Sequence, residues 1–189
     1  MPPEQPKLLG HEEREDLVRS CSLALTGFPS NDWMEPLSAL SRSLNSFQGN
    51  FEPLIESNIL YNLCQLFRPE YSEIPWRSEV AQLLTDMVCL NKTSVFFPRL
   101  LAYDFIKFIC QILTNGGQPM PMSQSSNYLY LLGNIAGDNI KARNATIQAG
   151  AVPILHQLLD QAVLEYDIEL LTWMVSNFVK SDDEGHERS

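Results

Sequence analysis

The sequence predicts an all-α fold, an α-solenoid of about three and a half stacked helical repeats. Three observations carry that prediction. First, a segment recurs at a fixed spacing of 46 residues, without a gap, at residues 55–67, 101–113 and 147–159. Inside it apolar side chains return at Ile59/Phe105/Ala151, Leu63/Ile109/Leu155, Leu66/Ile112/Leu158 and Phe67/Leu113/Leu159. That is the i, i+4, i+7, i+8 stripe of a helix with one buried face. A polar Gln returns at one outward place in each copy, as Gln65, Gln111 and Gln157. Second, another helical pattern follows each copy after a loop, at residues 77–88, 127–136 and 168–179. Asp86, Asn134 and Asn177 hold equivalent places in it, 48 and 43 residues apart. Third, no segment sustains the apolar–polar alternation of a strand.

The remaining elements follow in chain order. Residues 1–11 carry three prolines and no periodic pattern, so they read as a flexible leader. His11-Glu-Glu-Arg-Glu-Asp then runs into Cys-Ser-Leu-Ala-Leu, a first helix with its acids near the positive end of the helix dipole. A helix over residues 33–47 precedes the first repeat, and Gly49 marks its C-terminal stop. The loops between repeats vary in length while the helices keep register. Residues 182–189 are polar and acidic and read as a disordered tail, which leaves 12–181 as one repeat domain. A period of about 40–47 residues with two or three helices per unit is that of armadillo or HEAT repeats.

Composition limits the function. The chain has 189 residues with 44% hydrophobic and 19% charged, enough for a sizeable core. Thirteen Lys and Arg stand against 23 Asp and Glu, a net charge of −10. Phosphate neutralisation needs the opposite sign, so nucleic acid is not an expected partner and a cationic one is. No apolar run reaches the ~18–20 residues of a membrane span, so no membrane partner is expected. Cys21, Cys64, Cys89 and Cys110 are scattered without a CxxC or a neighbouring His, and read as reduced, buried thiols. Neither a metal nor a cofactor is expected, and no nucleophile, phosphate-cradling or metal-protease motif supports catalysis. His156 stands where the other copies have Cys64 and Cys110, a structural position.

A stack of such repeats curves and offers a concave face to an extended peptide. Tyr130 and Asn134 are four apart on one helix, and Trp173 and Asn177 repeat the arrangement one unit later. An Asn amide carries a donor and an acceptor and can clamp an extended backbone. Aromatic plates form slots for aliphatic stems and attract an ammonium head. Asp138 lies just past the helix end, where it can pair with a Lys or Arg. The plain alternative is that Tyr130 and Trp173 are core aromatics and that the Asn residues satisfy loops. The last helix has no evident capping repeat, which leaves apolar surface open to a partner or to self-association.

The segment Tyr128-Leu-Tyr-Leu-Leu-Gly-Asn-Ile-Ala-Gly-Asp138 resembles the Trp-Ala-Leu-Gly-Asn-Ile-Ala-Gly-Asp stretch of the importin-α family. Gln148-Ala-Gly-Ala-Val-Pro-Ile-Leu is similar to the repeat helix that follows there, and Leu171-Thr-Trp-Met-Val-Ser-Asn to its next Thr-Trp-x-Leu-Ser-Asn. The resemblance covers about residues 128–180. It implies an armadillo-repeat α-solenoid, a right-handed superhelix, that binds basic nuclear localisation signals in nuclear protein import, in cytoplasm and nucleus. It implies peptide-binding roles for Asn134, Asp138, Trp173 and Asn177, with Tyr130 standing where the family has Trp. One unit earlier the ladder positions read Gln82 and Asp86, and before that Ala39 and Ser43. The family's N-terminal importin-β-binding segment is basic, whereas residues 1–20 hold Lys7, Arg14 and Arg19 against five acids. Importin-β is therefore not expected to be engaged in the usual way. The alternatives are a generic armadillo interaction scaffold and a truncated adaptor that holds cargo without importin-β.

Overall fold

The computed structural model describes residues 8–26, 31–47, 50–71, 75–90, 96–114 and 117–180. Most of the leader, and the whole tail assigned to 182–189, lie outside the described residues. Among these residues the secondary structure is helical throughout, with no strand. The helices are α1 His11–Ala24, α2 Met34–Ser43, α3 Glu52–Glu56, α4 Ile59–Gln65, α5 Arg77–Leu90 and α6 Phe97–Ala102. They continue as α7 Phe105–Thr114, α8 Met122–Asp138, α9 Ile140–Gln148, α10 Ala151–Leu159 and α11 Glu165–Phe178.

Each complete unit has three helices rather than two. The recurring segment, read from sequence as one helix, is broken near its start at Asn58, Asp104 and Gly150, with φ of 63°, 54° and 95°. These positions keep the 46-residue spacing. Asn, Asp and Gly are the residues that enter the left-handed region most readily. Nothing stands within 4 Å of a Cβ added at Gly150, so the glycine serves the backbone turn and not a close approach. The units are therefore α3–α4–α5, α6–α7–α8 and α9–α10–α11, with α1 and α2 as the partial unit before them.

The third helices form the inner layer: α5 packs on α8, and α8 on α11. Aromatic contacts stitch successive units. Trp33 meets Trp76 at 6.2 Å, Phe51 meets Phe96 at 5.3 Å and Phe67 meets Phe105 at 4.9 Å. Pairs at such distances add about 0.5–1.5 kcal/mol each beyond the area they bury. The α1 helix closes the first end. It buries Val18 and Cys21 and turns His11, Glu12, Glu13, Glu15 and Asp16 to solvent. Asn62 donates to the Leu25 carbonyl at 2.9 Å, and Ser22 to that of Ser57 at 2.7 Å, tying α1 to the unit behind it.

Two side chains depart from the sequence reading. Cys21, Cys64 and Cys110 are buried, but Cys89 is exposed, because it lies on the side of α5 that faces the groove. His156 is exposed too, with 80% of its side chain accessible, although Cys64 and Cys110 at the equivalent places are buried.

Candidate functional site

The candidate residues sit where α8 and α11 meet on the inner layer. Their contact depends on two glycines. A Cβ on Gly133 would lie 2.4 Å from Trp173 Cζ3, and one on Gly137 would lie 3.0 Å from Asn177 Cγ. Real Cβ atoms do not come that close to a ring, so Gly133 lets the indole approach the backbone of α8. The Asn177 side chain then crosses between the units, and its Nδ2 donates to the Gly133 carbonyl at 3.1 Å. Only 3% of Asn177 is exposed. Asn134, half-buried, turns its own Nδ2 back to the Tyr130 carbonyl at 2.8 Å. Its Oδ1 is thereby set as an acceptor along the helix surface.

Asp138 closes α8, is exposed, and accepts from Asn139 Nδ2 at 2.6 Å. Asn139 in turn caps α9 by accepting from the Ala142 N–H at 2.9 Å. One cleft of about 350 Å³ brings Asn134, Asp138, Trp173 and Asn177 together, with Gly133 and Gly137 as floor. Val88 and Cys89 of α5 and Phe97 of α6 form its other wall, and Lys180 stands at the same opening. Tyr130 is not in this cleft. Its ring contacts Trp173 from the other side, with centroids 5.8 Å apart and planes tilted by 45°.

An alkyl stem between two rings needs two contacts of about 3.5–4.0 Å, or ~7–8 Å between them. No stem fits between Tyr130 and Trp173 as they stand. The Tyr130 hydroxyl meets that of Tyr166 at 2.9 Å, from the first turn of α11. That hydrogen bond, then burial, then the charges of Tyr166 and Glu169 push the Tyr130 phenol up to about 12. It stays neutral, and the bridge braces the plate from behind.

The groove changes character toward the first unit. Gln82 Nε2 donates to Asp86 Oδ1 at 2.8 Å, so the pair at those ladder positions is closed on itself. Beyond it an apolar pocket of about 430 Å³ opens between α2 and α5, lined by Met34, Leu37, Val80 and Leu83 with Arg42 and Glu79 at its rim. Sequence reasoning missed Lys180, Tyr166, Gly133 and Gly137. The Gly-x-x-x-Gly spacing on α8 was the one available signal, since small residues one turn apart let a neighbour approach closely. No group of three His, Cys, Asp or Glu side chains suited to a metal occurs among the described residues.

Three helices per unit, a left-handed break after the first and a layer of third helices on the inside decide between the two repeat types. The fold is an armadillo-repeat solenoid. A designed armadillo repeat protein in complex with the peptide (KR)4 superposes with a TM-score of 0.71, over 94% of this chain and 72% of that one, at 18% identity. An engineered protein solved by the Northeast Structural Genomics Consortium gives 0.68 over 85% and 62%, at 17% identity. In sequence, 50 residues are 44% identical to importin subunit alpha-5 of Arabidopsis thaliana, a stretch that makes up 26% of this armadillo chain and 9% of that relative. No family model matches the chain.

Proposed function

We propose that the groove between α5, α8 and α11 binds an extended, Lys- or Arg-rich segment of a partner protein. In this reading the chain is an importin-α-like adaptor for basic localisation signals in nuclear protein import, acting in cytoplasm and nucleus. The observation that carries it is the single cleft that gathers Asn134, Asp138, Trp173 and Asn177. Each has a role its geometry allows. Asn134 Oδ1 accepts a peptide N–H, the open side of the Trp173 indole carries the alkyl stem, and Asp138 meets the charged head. Asn177 serves mainly by holding α11 on α8. Tyr130 supports Trp173 from behind instead of forming a slot with it.

The sign of the field agrees, with a net charge of −10. The designed armadillo neighbour holds a peptide of alternating Lys and Arg, and the sequence relative is an importin-α subunit. A generic interaction scaffold is the second reading. The closed Gln82–Asp86 pair favours it, since it shortens the polar groove to about one unit. The two readings separate by fluorescence anisotropy with a labelled Lys-rich peptide and its Lys→Ala control. The adaptor reading expects binding that needs the lysine, weakens with salt and is lost in Trp173→Ala. Binding that ignores the lysine would leave only the scaffold.

A further inference from the structure

The inner layer is closed between α5, α8 and α11 but open between α2 and α5. Repeat equivalence locates the cause. On the ladder offsets of 43 and 48 residues, Ser41 and Arg42 of α2 stand where α5 has Leu84 and Thr85 and α8 has Leu132 and Gly133. Those residues of α5 and α8 are buried under the next inner helix, whereas Ser41 and Arg42 are exposed although α5 follows them. An Arg side chain cannot allow the close approach that Gly133 permits, and a Ser brings little apolar area to a seam. Helix α5 therefore stands off from α2, and the pocket of about 430 Å³ is the space between them. Helix α1 packs on α2 and α8 packs on α5, so the opening is interior to the stack and no further repeat covers it. Gln82, the ladder residue of α5, is exposed and part of the lining, which puts the mouth on the groove.

The chemistry of the pocket differs from that of the Trp173 cleft. Met34, Leu37, Val80 and Leu83 form its floor, and the opposite charges of Arg42 and Glu79 stand at its rim. Such a lining favours an apolar side chain and gives a lysine head no net attraction. Beside it Gln82 Nε2 donates to Asp86, which leaves Gln82 Oε1 as an acceptor, just as the bond from Asn134 Nδ2 to the Tyr130 carbonyl leaves Asn134 Oδ1. Two rungs of the inner layer thus offer an acceptor to one passing backbone. Helix α5 joins the two places, with Val80 and Leu83 in the pocket and Val88 and Cys89 on the wall of the cleft. Their midpoints are about seven residues apart, or ~10 Å along the helix axis. Two steps of about 8–10 Å between neighbouring helices separate the seams. The total of about 20 Å is the reach of roughly six extended residues.

We propose that the pocket between α2 and α5 receives an apolar side chain of the same extended segment whose lysine lies at Trp173, about six residues away along that segment. The recognised sequence is then a basic cluster joined to one Leu-, Met- or Phe-type anchor. The inference rests on the groove reading and adds a second determinant to it.

Two labelled peptides with the same central Lys-rich cluster test it by fluorescence anisotropy, each beside a control with Lys→Ala. One carries Leu about six positions to either side of the cluster, so that either chain direction presents it, and the other carries Ser there. The Leu peptide is expected to bind the full chain about tenfold more tightly than the Ser peptide. That difference should vanish in Met34→Glu, which sets a carboxylate in the apolar pocket, and in Ser38→Phe, which fills it. Both residues are half-buried, and far-UV circular dichroism checks that each variant keeps its helix. Lysine-dependent binding with equal affinity for the two peptides would overturn the proposal and leave the groove reading standing. So would a preference for Leu that survives in either folded variant. No lysine-dependent binding to the parent chain would overturn both.

Discussion

Replacing Gly133 with Ala tests the α8–α11 contact on which the site rests. The new Cβ would lie 2.4 Å from Trp173 Cζ3, 2.8 Å from Cη2 and 3.1 Å from Met174 Cγ. An ordinary contact is at least about 3.5 Å, so the ring must withdraw by roughly 1 Å. It has little room, because Tyr130 packs on its other side, braced by Tyr166. Overpacking of this kind costs about 1–3 kcal/mol. Ala in place of Gly within a helix returns about 1 kcal/mol. Taking the upper part of the first range, the net loss is about 1–2 kcal/mol. In a Trp173→Ala background the ring clash disappears and the flexible Met174 side chain, at 3.1 Å, need shift by only a few tenths of an ångström, so the same substitution should stabilise by about 1 kcal/mol. The coupling between the two sites is then ~2–3 kcal/mol, well above the scatter of independent sites. Urea unfolding of the four proteins, followed by far-UV circular dichroism, measures it. Stabilisation by Gly133→Ala in the parent chain would refute the reasoning, since the indole could not then lie on that glycine.

Three further outcomes are expected. Asn177→Ala removes a buried donor to the Gly133 carbonyl and should lower stability by about 1 kcal/mol, readable as a lower urea midpoint. Lys180→Ala removes the chain's own cation from the cleft and should tighten a Lys-rich peptide, whereas a weaker complex would mean that Lys180 supports binding. Burial pushes the Cys21 thiol up to about 11 and that of Cys110 to about 12, from 9.0. The folded chain then keeps protons that the unfolded chain releases above pH 9.0. Stability is full below that pH and falls as pH rises toward 11 and 12, and Cys110→Ala should flatten the decline.

Much of the fold was legible because a repeat states its period three times. The stripe from Ile59 to Phe67 returns at Phe105 and Ala151, and no single helix could give that certainty. The break inside each segment was not read, because the apolar pattern runs across it. The signal lay in residue type, with Asn58, Asp104 and Gly150 at one phase of the repeat. The exposure of His156 was not legible for a different reason. His156 is exposed where Cys64 and Cys110 are buried, so repeat equivalence alone cannot fix its environment. At the site the ladder spacing named Asn134, Asp138, Trp173 and Asn177, which the fold gathers in one cleft, and Tyr130, which lies outside it, and whether two rings leave a slot depends on distances of an ångström. The Tyr130–Tyr166 bridge joins residues 36 apart on different helices, with no local pattern to announce it.

The central claim is that a basic peptide binds beside Trp173, and indole N–H resonances test it directly. The chain has three tryptophans, and Trp33 and Trp76 are buried in the first units at 3% and 6% exposure. Titration of the ¹⁵N-labelled chain with a Lys-rich peptide should shift the Trp173 indole signal and the Asn134 side-chain amide, leaving the other two indoles in place. Saturation of the peptide with no movement at Trp173 would place its site elsewhere and contradict the account.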